Sequence, residues 1–173
     1  MHMSDQREIA APVAEVWAAL LSAEMLKDCV PGATEVSGTP EDGFDAVVTQ
    51  KVGPVKATFK GRVVLSDIVE GQSLTLSGEG KGGAAGFAKG SADVTLAESG
   101  AGTVLSYEVD AKVGGKLAQL GSRLIDGFAK KMADQFFSNL QDRLEGPSED
   151  AGTGEEPVPE GEKKGLLSRL RGG

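Results

Sequence analysis

One long amphipathic repeat near the C-terminus constrains this chain more than any other feature. Leu117, Leu120, Leu124, Ile125, Phe128, Met132, Phe136, Leu140 and Leu144 recur at steps of three and four over about 28 residues, while Lys116, Arg123, Asp126, Lys130, Lys131 and Gln135 fall mostly elsewhere. That spacing predicts a single helix roughly 40 Å long at 1.5 Å per residue, apolar along one stripe. Such a stripe has to be buried against another layer.

The partner layer lies upstream. Phe44-Ala46-Val48 alternates with Asp45-Val47-Thr49, and Val55-Ala57-Phe59-Gly61-Val63-Leu65 alternates with Lys56-Thr58-Lys60-Arg62-Val64-Ser66 across a Gly53-Pro54 turn. This period of two predicts antiparallel strands with one apolar and one wet face. Three more strands are predicted over Leu74 to Gly80, Gly86 to Glu98 and Gly102 to Val113. A short helix is predicted over residues 11–21, with Pro12 in its first turn and Val13, Val16, Trp17 and Leu20 at helical spacing. A second runs from Ala23 to Asp28, before a Pro31-Gly32 turn. The order is strand, two short helices, a run of antiparallel strands and one long helix. The fold class is therefore α+β: a helix-grip fold, in which a curved antiparallel sheet wraps around the C-terminal helix. No internal repeat is evident.

Composition changes sharply after Leu144. Residues 145–162 read EGPSEDAGTGEEPVPEGE, with seven acids, no base, three prolines and only Ala151 and Val158 apolar. Such a segment cannot bury enough apolar surface to offset the entropy of ordering, so a disordered acidic linker is expected. Residues 163–173 then restore positive charge and leucine. If they form a helix, Leu166, Leu167 and Leu170 share a face ringed by Lys163, Lys164, Arg169 and Arg171. That cationic amphipathic tail suits either an anionic membrane or a docking site on a protein partner. Three regions are thus expected: a ligand-binding domain over 1–144, the linker, and the tail.

Charge and inventory exclude several functions. The chain carries 18 Lys and Arg against 26 Asp and Glu, a net charge of −8, which argues against nucleic acid as a partner. Cys29 is the only cysteine, so no intrachain disulfide can form. No apolar run approaches the ~20 residues that cross a bilayer, and the N-terminus has no apolar signal core, so a cytoplasmic or peripheral location is expected. His2 is the only histidine, and Met1-His2-Met3 reads as an appended leader. There is then no Ser/His or Cys/His nucleophilic pair, no histidine metal site and no base titrating near neutrality. Cys29 sits beside Asp28, which disfavours a thiolate, and reads as a small packed residue. Asp67, Glu79, Asp93, Glu98, Glu108 and Asp110 fall on strand positions assigned to solvent. The expectation is a protein that is not an enzyme, with no metal and no covalent cofactor.

A glycine-rich zone, Gly78-Glu79-Gly80-Lys81-Gly82-Gly83-Ala84-Ala85-Gly86-Phe87-Ala88-Lys89-Gly90, lies between two strand patterns. A phosphate loop would need a helix N-terminus after it, so the phosphate reading fails. A hairpin with bulges remains. Gly78 and Gly80 also continue the inward face begun by Leu74 and Leu76, leaving no side chains beneath the helix there. Either the helix collapses onto the sheet or a ligand cavity results.

Four segments carry a resemblance: Val30-Pro31-Gly32-Ala33, residues 51–61 (KVGPVKATFKG), residues 78–90, and residues 113–121 (VGGKLAQLG). Together they resemble the carbon monoxide dehydrogenase CoxG family, of the START-like helix-grip superfamily of lipid and hydrophobe binders, over roughly residues 5–143. The resemblance implies an accessory protein for a molybdenum-containing carbon monoxide dehydrogenase. It implies a cavity for an apolar molecule, with a menaquinone-like quinone or other isoprenoid lipid carried between the inner face of the cytoplasmic membrane and the enzyme. Recruitment of the dehydrogenase to the membrane without ligand transport is the alternative. The expected lining is Phe44, Val48, Phe59, Leu76, Phe87, Leu105, Tyr107 and Val109 from the strands and Leu117, Leu120, Leu124, Ile125, Phe128 and Met132 from the helix, with Gly78 and Gly80 leaving volume. Tyr107, the only tyrosine, either donates a hydrogen bond to a ligand carbonyl or is a packed core residue.

Overall fold

A computed structural model describes residues 1–145. The elements follow in the order β1 (His2–Ile9), α1 (Val13–Leu20), α2 (Ala23–Cys29), β2 (Ala33–Thr39), β3 (Gly43–Val52), β4 (Val55–Val69), β5 (Ser73–Lys81), β6 (Phe87–Ser99), β7 (Gly102–Gly114) and α3 (Ser122–Glu145). Two 3-10 turns, Gly83–Ala85 and Gly115–Leu120, precede β6 and α3. The strands form one antiparallel sheet in the order β1-β7-β6-β5-β4-β3-β2, curved and accompanied by the long C-terminal helix, as a helix-grip fold requires. The chain separates into two compact units, Met1–Asn139 and Leu140–Gly173. Of the second, only the last residues of α3 are described. The acidic segment beyond Glu145 and the tail with Lys163, Lys164, Leu166, Leu167, Arg169, Leu170 and Arg171 lie outside the described residues.

Two elements differ from the sequence reading. Strand β2 has only Val36 as an inward apolar residue in ATEVSGT, and every other position but Ala33 is exposed. It is an edge strand held by backbone pairing to β3, from Ala33↔Val48 to Thr39↔Gly43, so no alternation announces it. The long repeat is also not one helix. Gly121 adopts φ +90°, which an α-helix cannot contain, so residues 115–120 form a separate 3-10 turn and α3 begins at Ser122. Leu117 is buried in that turn, outside the helix.

Local chemistry sets the short helices. Pro12 precedes the first turn of α1, and its carbonyl accepts from Glu15 N and Val16 N. The Ser22 hydroxyl accepts from Met25 N at 3.2 Å and caps α2. Gly32 at φ +81° then lets the chain press against β3, where a Cβ would lie 2.1 Å from the Thr49 carbonyl oxygen. Residues 1–3 take part in the sheet: the Met1 amine donates to the Ala111 carbonyl at 2.8 Å, and His2 and Met3 pair with Asp110 and Val109.

The packed core gathers where β1 and β7 meet α1. Ile9, Val16 and Leu105 are at most 1% exposed, with Trp17 and Leu96 close behind. Thr103 is only 1% exposed, and its hydroxyl donates to the Ala11 carbonyl at 2.8 Å, tying β7 to the entry of α1. Replacing Thr103 with Val keeps the shape but orphans that carbonyl, so Thr103→Val should lower unfolding free energy by about 1–3 kcal/mol. Urea denaturation of parent and variant measures the difference.

Candidate functional site

A cavity of about 370 Å³ lies between the concave sheet face, α1–α2 and the middle of α3, and Tyr107 carries the only polar side chain among the residues that line it. The sheet supplies Phe44, Ala46 and Val48 from β3, Val63 from β4, Leu74 and Leu76 from β5, Ala92 and Val94 from β6, and Leu105, Tyr107 and Val109 from β7. Every one of these is an inward position of the alternating strands. Leu20, Leu26, Val30 and Pro31 close one side, Val36 and Met3 come from the two edge strands, and Met132, Ala133, Phe136 and Phe137 form the helical wall. Val48, Val63, Leu76, Ala92 and Val109 point into the fold yet are only half-buried. Inward apolar residues in a close-packed core lose nearly all their surface, so their residual exposure is the signature of the void they face.

The helical wall is fixed by polar contacts at its margin. Phe137 stacks on Tyr107, with ring centroids 5.2 Å apart, and meets Phe136 edge-on at 5.1 Å. The Arg7 guanidinium lies 5.5 Å from the Phe137 ring centre and bonds to the Asp134 carboxylate. Lys130 donates to the other Asp134 oxygen at 3.1 Å. Arg7 Nε is buried without a hydrogen-bond partner. Farther along α3, Asn139 donates to the Cys29 carbonyl at 2.9 Å. The hydrogen bond and charge of Lys130, with the charge of Arg7, hold the Asp134 carboxyl below its ordinary value.

Beside the apolar cavity, a polar recess of about 230 Å³ is bounded by Met1, His2, Met3, Ser4, Asp5, Tyr107, Asp126 and Lys130. Met3 and Tyr107 border both spaces. Burial, and then the negative charge of Asp5, push the Tyr107 hydroxyl above its usual range. It therefore stays protonated, a donor at the boundary between oily and polar space. His2 Nδ1 lies 2.8 Å from Asp110, which raises the imidazole pKa.

Of the expected lining, Phe44, Val48, Leu76, Leu105, Tyr107, Val109 and Met132 line the cavity. The others stand apart from it. Gly78 and Gly80 are inward but lie beyond the cavity, beside Val63 and Phe59. Phe59 is also inward and half-buried, beneath Gly82. Phe87 lies on the outer face, its ring over Gly114. Leu117 and Leu120 belong to the 3-10 turn. Leu124 is 40% exposed and packs against Gly53, and Ile125 and Phe128 are half-buried. The helical wall is thus the second half of the repeat rather than the first, and the room comes from Ala46, Ala92 and Ala133 rather than from the glycines. Sequence reasoning missed the α1–α2 wall, although its apolar residues were legible as helical positions, and Val36, whose strand it did not see.

Catalytic groups do not converge on the cavity. Asp67, Glu79, Asp93, Glu98, Glu108 and Asp110 are all exposed, and Cys29 is fully buried. Among the described residues no group of three His, Cys, Asp or Glu side chains is placed to hold a metal ion. No helix among them is long and apolar enough to cross a membrane.

Comparison with known proteins adds the family and the fold. The family model for the G subunit of carbon monoxide dehydrogenase, CoxG, matches residues 6–145. A conserved protein from Geobacillus kaustophilus is similar in structure, with a TM-score of 0.78 and 28% identity over 83% of this chain and 95% of its own. A START superfamily protein from Mycobacterium smegmatis superposes with a TM-score of 0.64 at 15% identity, over 83% of this chain and 97% of its own. A protein from Chromobacterium violaceum gives 0.61 at 18%, over 84% and 97%. No curated protein matches the chain.

The Asp134 contacts carry a pH dependence of defined sign. The folded-state carboxyl titrates below its ordinary 3.8, so its contribution to stability is complete above that value and is lost as pH falls through the lower folded-state value. Urea midpoints of the parent should exceed those of Asp134→Asn by a constant margin well above pH 3.8, and the gap should close below it.

Proposed function

Because the chain belongs to the carbon monoxide dehydrogenase CoxG family, we propose that it is a non-catalytic accessory protein of a carbon monoxide dehydrogenase that carries an apolar ligand in its cavity. The single observation that supports this most is the lining: a space of about 370 Å³ whose only polar side chain is Tyr107. That volume falls within the ~300–1,000 Å³ typical of small-molecule sites. Burial against such walls is favourable at ~25 cal/mol per Å² of apolar surface. No charged contact is needed to hold a hydrocarbon there.

The ligand we favour is a menaquinone-like quinone. Its prenyl chain suits the apolar walls, and a ring carbonyl suits the Tyr107 hydroxyl, a protonated donor at the edge of the polar recess. Carriage between a membrane and the dehydrogenase then follows from chemistry, since a lipid-soluble electron acceptor has to leave the bilayer to reach an enzyme in water. The cationic leucine-containing tail, residues 163–171, would hold the carrier at the inner face of the cytoplasmic membrane.

Ala92 sits on β6 between Leu76 and Val109 and faces the void. Ala92→Leu should occupy that space without displacing packed atoms, so equilibrium binding of a short-chain menaquinone should weaken about tenfold or more, about 1.4 kcal/mol, with the circular dichroism spectrum unchanged. Tyr107→Phe keeps the stack on Phe137 and should weaken the quinone several-fold while leaving a pure hydrocarbon ligand unaffected. A parent that binds neither ligand contradicts the carrier and favours a tether that recruits the dehydrogenase. So does an Ala92→Leu variant that binds as well as the parent.

A further inference from the structure

The register of the sheet assembles a basic face on an acidic protein. Lys51 pairs directly with Lys56 across the β3–β4 turn, Lys60 with Lys81, and Lys89 with Lys112. Val48, Val63 and Val109 point into the fold, so strand alternation puts all six lysines on the outer face, at the end of the sheet where β3, β5 and β7 finish. Lys116 in the 3-10 turn and Arg123 in the first turn of α3 lie at the same end, because Gly115 touches Gly86 and Leu124 touches Gly53 there. All eight bases are exposed, and none forms an ion pair among the described residues. Two acids share these outer strand positions, Glu79, paired with Lys89, and Asp110, two residues before Lys112 on β7, and Asp110 is already engaged by His2. The connections at the opposite end, residues 40–42, 70–72 and 100–101, hold Glu41, Asp42 and Glu70 and no base.

Like charges directly opposite on neighbouring strands destabilise a sheet, and three such pairs at one end serve no folding purpose. The stripe therefore calls for an anionic partner. Phe87 stands within it, 40% exposed between Lys81 and Lys89 on the outer face. Seven of the eight bases are lysines, point charges suited to a diffuse anionic surface, whereas recognition of individual carboxylates favours the bidentate arginine fork. A broad lysine field around an exposed aromatic ring is the composition that seats on anionic lipid.

We propose that this end of the sheet is a docking face for an anionic phospholipid bilayer, distinct from the C-terminal tail. The face spans five strands, β3 to β7, close to 20 Å at about 4.8 Å per strand. Its attraction is screened by salt, over about 8 Å at physiological ionic strength. The inference goes beyond the carrier reading and stands without it, since vesicle binding needs no ligand in the cavity.

The test uses the full chain with the tail bases neutralised by K163Q, K164Q, R169Q and R171Q, and vesicles of phosphatidylcholine with or without phosphatidylglycerol. The neutralised chain should sediment with vesicles containing phosphatidylglycerol and not with pure phosphatidylcholine, and adding K81E and K89E should weaken that binding about tenfold or more. K81E alone should raise the thermal unfolding midpoint, because an opposite charge then faces Lys60. Failure to bind the anionic vesicles, equal binding by the charge-reversed variant, or a lowered midpoint for K81E would overturn the proposal. Retention on immobilised polyglutamate without vesicle binding would give the face to an acidic protein and equally overturn the lipid assignment.

Discussion

The seating of Phe137 governs the rest of the structure. Its ring stacks on Tyr107 of the sheet and lies close to the Arg7 guanidinium of the edge strand, and Asp134, one turn earlier on α3, bonds to that same guanidinium. Asn139 adds a hydrogen bond to the end of α2. These contacts hold the middle of the helix, residues 132–139, across the concave face. They oppose the tendency of an apolar wall to settle onto the sheet and close the space between them. Arg7 accepts an unpartnered Nε in order to meet both the ring and the carboxylate. The void is thus built by polar and aromatic contacts at its rim, with apolar residues only inside.

That division of labour leaves the cavity apolar and puts polar groups at its rim. Most acids of the sheet point outward, where alternation puts them, while Arg7 and Asp5 of β1 stand at the rim and the cavity retains one hydroxyl, that of Tyr107. The two faces of the same strands separate two tasks, since inward positions of β3 to β7 line the oily space while outward positions of the same strands carry the lysine stripe. A single register error would exchange them.

Much of this was legible in the sequence. Alternation gave the strands and their inward faces, so Phe44, Val48, Leu76, Leu105, Tyr107 and Val109 were identifiable as neighbours before any coordinates. Helical periodicity found α3 but not its start, because the apolar spacing runs on through Leu117 and Leu120 while the backbone breaks at Gly121. The glycines misplaced the cavity. Gly78 and Gly80 are inward and lack side chains, but where the void sits depends on which part of α3 crosses the sheet and at what height, and that is fixed by the long-range pairs Arg7–Asp134, Tyr107–Phe137 and Cys29–Asn139. Pairs so distant in sequence leave no local signature. The edge strand β2 was invisible for a different reason, since backbone pairing to β3 requires nothing of its side chains.

The central claim is that the cavity holds an apolar molecule, and extraction tests it most directly. Protein purified under mild conditions from cells that make menaquinone should yield, on organic extraction and mass spectrometry, a prenylated quinone in constant ratio to protein, and the Ala92→Leu variant should yield little. Extracts of parent and variant that contain the same lipids in the same amounts, or no apolar small molecule at all, would contradict the account.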